Sequence, residues 1–242
     1  MEKETAVVHA PGFSRRHFLR SLLIASGAVV VGPQGLLEAA ANLTVDKDWP
    51  RDWPTRDNPL LVDNKKRVLS MYTELSLKHL TETTAHWGIG FSGGKYADKF
   101  ILLSPLDHLS FHDGLMQMGA KPGNNLSVGD DGSYGKHVQG DRLTVTAQWA
   151  GLKAPVGISD IFHDSTGKGF DIRFGGNRAA AEKNKTGCLT CLESCPISIT
   201  SNAIYPNISP IQRAVKPNSH FRGKPETLPN RDSVPIVVFY KL

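Results

Sequence analysis

The sequence predicts a β-rich α+β domain, built on a single antiparallel or mixed sheet with one clear helix and long loops. Residues 141–151 alternate between apolar and polar side chains, which is the pattern of a strand with one buried face. Several other segments are short and either apolar or alternating, and each is bounded by Gly, Pro or Asn. One stretch, at about 105–118, begins with helix-capping residues.

The remaining elements follow from the same patterns in chain order. Strands are predicted at 66–80, 86–91, 100–103, 141–151, 155–162, 170–174, 197–204 and 234–240. Residues 121–140 are rich in glycine and polar side chains, and residues 205–229 are rich in proline and asparagine, so both are predicted to be long loops. Residues 177–186 are polar and fit either a short helix or an exposed loop.

The predicted helix has a recognisable start. Ser104 is placed as the N-cap, Pro105 as the first helical residue and Asp107 as the partner in a capping box. His108 and His112 are four residues apart and therefore share one helix face. They are candidate metal ligands, and the alternative is a pair of surface or core histidines, because two histidines alone do not complete a site.

The N-terminus resembles an export signal. Arg15 and Arg16 precede Phe18-Leu19, an apolar stretch at 21–32, and three small residues ending at Ala41. This order resembles a twin-arginine (Tat) signal peptide over residues 1–41, with an ordinary secretory signal as the alternative. We therefore expect a periplasmic protein that meets the Tat translocase during export and keeps no membrane span after cleavage. The route carries folded cargo, which is typical of proteins that acquire a cofactor before export.

The rest of the chain divides into two parts. Residues 42–63 contain Trp49-Pro50 and Trp53-Pro54 and are predicted to form an extended leader, since X-Pro steps favour extended backbone. Residues 64–242 form the predicted single domain. The net charge of +5 is spread along the chain without a Lys/Arg run of the kind that binds nucleic acid, which argues against nucleic-acid binding. No catalytic signature is present, so an electron carrier or accessory protein is favoured over an enzyme.

All three cysteines fall within residues 188–195, in the pattern C-x2-C-x3-C-P. Cys188, Cys191 and Cys195 with the following proline match the last three cysteines of the bacterial ferredoxin run, and Lys185 stands where the first would be. Disulfides between cysteines this close in sequence would close very short loops and stabilise the fold little, so the three thiols indicate a functional site. We expect them to hold a [4Fe–4S] or [3Fe–4S] cluster for electron transfer with a redox or assembly partner protein.

Three alternatives remain open for the same cysteines. Zinc can be held by three cysteines and one histidine. A Cys188–Cys191 redox pair with Cys195 as resolving thiol would make a thiol oxidoreductase. A structural disulfide with Cys195 left over would fit a non-catalytic binding or assembly module.

Part of the chain resembles a known family. The segments that carry the resemblance are 100–103 (FILL), 115–123 (LMQMGAKPG), 140–149 (GDRLTVTAQW) and 174–176 (FGG). In order and kind they resemble the exported bacterial proteins of the YdjY-domain family, which is loosely described as ferredoxin-like and has no established reaction. The resemblance implies the core of the fold, and the cysteine cluster is then an addition to that core.

Overall fold

The computed structural model describes residues 49–129, 131–209 and 220–242, so the predicted signal peptide with Arg15 and Arg16 lies outside the described residues. The strands are β1 (Leu60–Asp63), β2 (Val68–Leu75), β3 (Trp87–Phe91), β4 (Leu102–Ser104), β5 (Thr144–Gln148), β6 (Val156–Gly157), β7 (Phe162–Asp164), β8 (Ile172–Phe174), β9 (Cys188–Cys191), β10 (Thr200–Asn202), β11 (Phe221–Gly223) and β12 (Pro235–Lys241). The α-helices are α1 (Lys78–Thr81), α2 (His108–Gln117), α3 (Ile158–Ile161) and α4 (Arg178–Asn184).

Most strands join one mixed sheet, in the order β6-β5-β12-β2-β4-β3-β9-β10-β8, with β1 paired to the first half of β2. The β3–β4 and β9–β10 pairs are parallel and the other neighbours are antiparallel. Strands β7 and β11 form a separate two-stranded sheet. The β-rich α+β class is therefore confirmed.

The sheet curls until its ends meet. The segment just before β5 pairs with β8, where Leu143 N–H donates to the Ile172 carbonyl at 2.8 Å and Phe174 N–H donates to the Asp141 carbonyl at 2.9 Å. Large apolar side chains from β2, β5, β12 and α2 fill the enclosed core. Tyr240 of β12 is fully buried there, and its ring lies 5.0 Å from that of Phe111 on α2. This closed core supports β9, which carries two of the cysteines.

The helix content differs from the sequence prediction. The expected helix is present as α2, but the described residues contain three further short α-helices that the sequence pattern did not clearly predict. Helix α2 begins at His108 rather than at Pro105, because Asp107 is the N-cap and accepts hydrogen bonds from the N–H groups of Leu109 and Ser110. Ser104 instead ends β4. The strand predicted at 155–162 is interrupted by α3. Of the two structures predicted for residues 177–186, the short helix is the one that forms, as α4.

The leader packs on the domain through aromatic side chains. Trp49 and Trp53 contact each other with ring centroids 5.0 Å apart. Trp49 also lies 5.8 Å from Tyr72, and Trp53 lies 6.3 Å from Phe239. The end of the leader is β1, which pairs antiparallel with β2. These contacts hold residues 49–63 against the sheet. Within the described part of the chain, no helix is long and apolar enough to cross a membrane.

Candidate functional site

The cysteine segment begins on a bulged strand. Cys188 and Cys191 are three residues apart, and in a regular strand they would face opposite sides of the sheet. Strand β9 pairs with β3 in a broken register, in which Thr190 lies opposite Ile89 and Cys188 lies opposite Gly90. Leu189 is therefore the extra residue of a β-bulge, and it brings both cysteines to the same face. The sequence pattern predicts no strand at these cysteines, whereas the structure places the first two on one.

The third cysteine comes from the loop that joins the parallel strands β9 and β10. Asn177 is buried, and its side-chain N–H groups donate to the carbonyls of Cys195 and Ser198, both at 3.0 Å. At the start of the loop, Asn202 Nδ2 donates to the Leu192 carbonyl at 3.1 Å. Buried side chains thus satisfy the backbone of this loop and fix the position of Cys195.

The three thiols form a cluster separate from the main core. They are free cysteines, with exposed fractions of 3%, 0% and 8% for Cys188, Cys191 and Cys195. Phe100 is fully buried against them, and Trp87 packs over the cluster with its ring 5.1 Å from that of Phe100. The ring of Phe100 occupies the space where a side chain on Gly90 would lie. A glycine opposite Cys188 is therefore required for this packing.

Beside the three cysteines, the backbones at Gly94 and Gly187 are too close together for either residue to carry a side chain. A Cβ added to Gly94 would lie 2.5 Å from the Cα of Gly187, the residue before Cys188. A neighbouring hydrogen bond joins the same two segments, because the Lys95 N–H donates to the Lys185 carbonyl at 3.0 Å. The backbone at 94–95 is thus fixed against the start of the cysteine segment.

Replacing Gly94 by alanine is expected to lower the free energy of unfolding by about 2–3 kcal/mol, because the clash is with backbone that has little room to move. Denaturant unfolding measures the change. The control is Gly157→Ala, where the nearest atom lies 3.6 Å from the added Cβ and the expected change is below about 1 kcal/mol. Equal effects at the two positions would show that the contact between Gly94 and Gly187 does not constrain the site.

The thiols influence one another's ionisation. Burial raises the pKa of the Cys188 and Cys191 thiols well above the usual value. Hydrogen bonds donated by Cys188 and then Cys191 hold the pKa of Cys195 well below it, and the charge of His86 acts in the same direction. Of the three thiols, Cys195 is therefore the one that loses its proton most readily, with Cys188 and Cys191 as its hydrogen-bond donors.

We expect a small alkylating reagent such as iodoacetamide to modify Cys195 first. Because the thiolate is the reactive form, the lowered pKa of Cys195 moves the rise of its reaction rate to lower pH than that of an ordinary cysteine. Peptide mass mapping over a pH series measures this order. Cys188→Ala should shift the Cys195 profile back to higher pH, since it removes the first of the two donors. Equal rates at all three cysteines in the folded wild-type protein would contradict the assignment.

The other predicted ligands lie apart from this cluster. His112 is buried on α2, with Nδ1 3.1 Å from Asp113 Oδ1 and its ring 5.2 Å from that of Phe174. Burial lowers the pKa of His108. Among the residues that the structure describes, no group of three or more His, Cys, Asp or Glu side chains has a geometry that could hold a metal ion. Metal binding by His108 and His112 stays a prediction.

Lys185 occupies the position at which a bacterial ferredoxin would have its first cysteine. It follows the last residue of α4 and adopts a left-handed conformation with φ of 51°. Its side chain is exposed, whereas the three cysteines are buried. The position that would hold a first cysteine therefore serves to end a helix.

A pocket of about 410 Å³ adjoins the cluster. Of the three cysteines only Cys195 lines it, together with His86, Trp87, Lys95 and Tyr96. Sequence reasoning missed these four side chains, because they carry no motif and only folding brings residues 86–96 beside residue 195. The one local signal is the run Ser92-Gly93-Gly94, which is typical of a turn and forms one in the structure.

Fold and cluster together define a β-rich domain that buries a site of three free cysteines. The chain belongs to the YdjY-domain family, whose family model matches residues 60–241. Over 188 residues it is 34% identical to the uncharacterized protein YdjY of Escherichia coli (strain K12), a match that covers 78% of this chain and 81% of that protein. No solved structure matches the chain. The predicted resemblance is thus confirmed.

Proposed function

We propose that this protein binds an iron–sulfur cluster through Cys188, Cys191 and Cys195 and transfers electrons in the periplasm. The observation that carries the proposal is the gathering of three free, buried thiols from a bulged strand and a fixed loop. Cluster ligation needs several thiolates close together, and the bulge at Leu189 brings the first two cysteines to one face of β9. Three sulfur ligands suit a [3Fe–4S] cluster, or a [4Fe–4S] cluster with a further ligand.

The protonation state of the site is compatible with ligation. Metal ligands must be thiolates, and the lowered pKa of Cys195 favours the thiolate form at that position. Binding would replace the hydrogen bonds that now link the sulfurs and would release the protons of Cys188 and Cys191. Because the described side chains are not yet arranged around a metal position, the sulfurs would have to adjust on binding.

The burial of the cysteines favours iron–sulfur binding rather than disulfide exchange with a large partner protein. Reactive exchange cysteines are usually exposed enough for a partner's sulfur to reach them, whereas Cys188 and Cys191 are closed off at 3% and 0% exposure. A buried centre is also shielded from water and oxygen, which suits electron transfer.

Anaerobic reconstitution tests the proposal. Purified protein is incubated with ferrous iron and sulfide, and the visible absorption of the desalted product is recorded. A stable broad shoulder, with iron and sulfide retained, is the expected result. Retention of zinc but not of iron and sulfide in a parallel sample would replace the cluster with a zinc site. Failure to retain any metal would overturn ligation by these cysteines.

We further propose export by the twin-arginine route. The support is the sequence at Arg15 and Arg16, together with a site that would be filled before export. Replacing both arginines by lysine should leave the protein in the cytoplasm, which cell fractionation measures. Unchanged export of the double variant would show that another route is used.

A thiol oxidoreductase is the second candidate, favoured by the fact that Cys195 lines a pocket while two thiols lie beside it. The Cys195 thiolate would attack a small substrate disulfide and release one substrate thiol. A neighbouring thiol would then displace the second substrate thiol and close an internal disulfide, so that two electrons pass to the substrate. Incubation with oxidised glutathione tests this step, which predicts a mass lower by two hydrogens and one remaining alkylatable thiol.

A further inference from the structure

The pocket beside Cys195 has aromatic walls. Trp87 and Tyr96 line it with ring centroids 5.3 Å apart, and Tyr134 lines it from another segment. All three are half-buried, so each keeps ring surface that is open to the pocket side of the molecule. Aromatic walls of this kind favour a flat, apolar ligand that can stack on a ring.

The charged side chains of the pocket are basic. Lys95 is exposed, and its Nζ lies 5.3 Å from the centre of the Tyr96 ring. His86 lies on the same side, with its ring 4.2 Å from that of Trp87. Among the described residues that line the pocket, none carries a carboxylate. A negatively charged group would therefore meet Lys95 without an opposing charge from these residues.

The walls are held by backbone contacts, so the pocket is largely preformed. Lys95 N–H donates to the Lys185 carbonyl at 3.0 Å, and Tyr96 N–H donates to the Thr186 carbonyl at 3.4 Å. The close contact of Gly94 with Gly187 fixes the same turn. Trp87 is the first residue of β3 and packs on the three cysteines. A preformed site loses less entropy on binding.

We infer that this pocket binds a small planar molecule that carries a negative charge, with its ring on Trp87 and Tyr96 and its anionic group on Lys95. Such a ligand would lie next to Cys195, where it could donate electrons to the proposed iron–sulfur cluster or accept them from it. That redox role rests on the proposed function, whereas the binding of the ligand does not.

Two fluorescent probes of similar shape test the inference. 1-Anilinonaphthalene-8-sulfonate carries a negative charge, and N-phenyl-1-naphthylamine is its neutral analogue. The full chain should bind the sulfonate saturably at one site and more tightly than the neutral probe. Lys95→Gln should weaken sulfonate binding by about three- to fivefold and leave the neutral probe unaffected. Tyr96→Leu should weaken both probes, by roughly five- to tenfold.

Lys183→Gln is the matched control, since Lys183 is exposed on α4 and does not line the pocket. A cooperative thermal transition in each variant shows that the probe reports a folded site. Absence of saturable binding to the folded wild-type protein would overturn the inference, and equal binding of both probes with no effect of Lys95→Gln would overturn its anionic part. The titration is repeated on metal-free and reconstituted protein. Probe binding without iron binding then contradicts only the proposed function, and the reverse contradicts only this inference.

Discussion

Replacing Asn177 by alanine is expected to lower the free energy of unfolding by about 4 kcal/mol. The substitution leaves the carbonyls of Cys195 and Ser198 buried without their donor, at about 1–3 kcal/mol each. It also places alanine at φ 50° and ψ 26°, a left-handed conformation that asparagine tolerates better. Denaturant unfolding followed by circular dichroism measures the loss.

Two further variants separate these causes. Asn177→Gly removes the same hydrogen bonds without the backbone strain, so it should be about 1 kcal/mol more stable than the alanine variant. Asn125→Ala is the matched control, because Asn125 also makes two side-chain hydrogen bonds to backbone, to His137 and Gln139, at an exposed position. Its expected effect is about 1 kcal/mol. If Asn177→Ala cost no more than Asn125→Ala, the buried amide would not be what holds the cysteine loop.

Serine in place of Cys191 is expected to abolish retention of iron and sulfide while the protein stays folded. Cys191 is completely buried as the last residue of β9, and serine keeps the shape of the side chain but is a poor ligand for iron. The same loss is expected for Cys188→Ser and Cys195→Ser, because each removes one of three sulfurs. Metal analysis after anaerobic reconstitution measures it.

Thr186→Val is the matched control for the serine series. Its hydroxyl accepts a hydrogen bond from the Cys188 N–H at 3.4 Å, so the variant disturbs the same segment but keeps all three sulfurs. It should retain iron and sulfide at the level of the wild-type protein. Serine variants that hold as much iron as this control would show that the cysteines are not the ligands.

The regular parts of the fold could be predicted because their patterns are local. The alternation at 141–151 predicted the region of β5, and the apolar run at 234–240 predicted β12. The predicted helix start was too early because Ser104, Pro105 and Asp107 all favour a helix N-terminus. The choice between them depended on the pairing of Ser104 with β3, which keeps this residue in β4. Such tertiary contacts override local preference.

The cysteines of the candidate site could be singled out from the sequence, but their geometry could not. The spacing of Cys188, Cys191 and Cys195 identified the sulfurs, but a three-residue spacing is out of phase with a strand unless a bulge intervenes. That bulge depends on pairing with β3, which the sequence pattern does not reveal. Asn177 holds the cysteine loop, and Lys95 lines the pocket beside it. Both are far from Cys195 in the sequence, so only folding brings them to the site.

The most direct test of the central claim is the content of iron and acid-labile sulfide in protein purified without oxygen. The account predicts both, in similar amounts per chain, with a broad visible absorption shoulder that disappears in the serine variants. Absence of both from protein in which all three thiols are free to react with an alkylating reagent would contradict it.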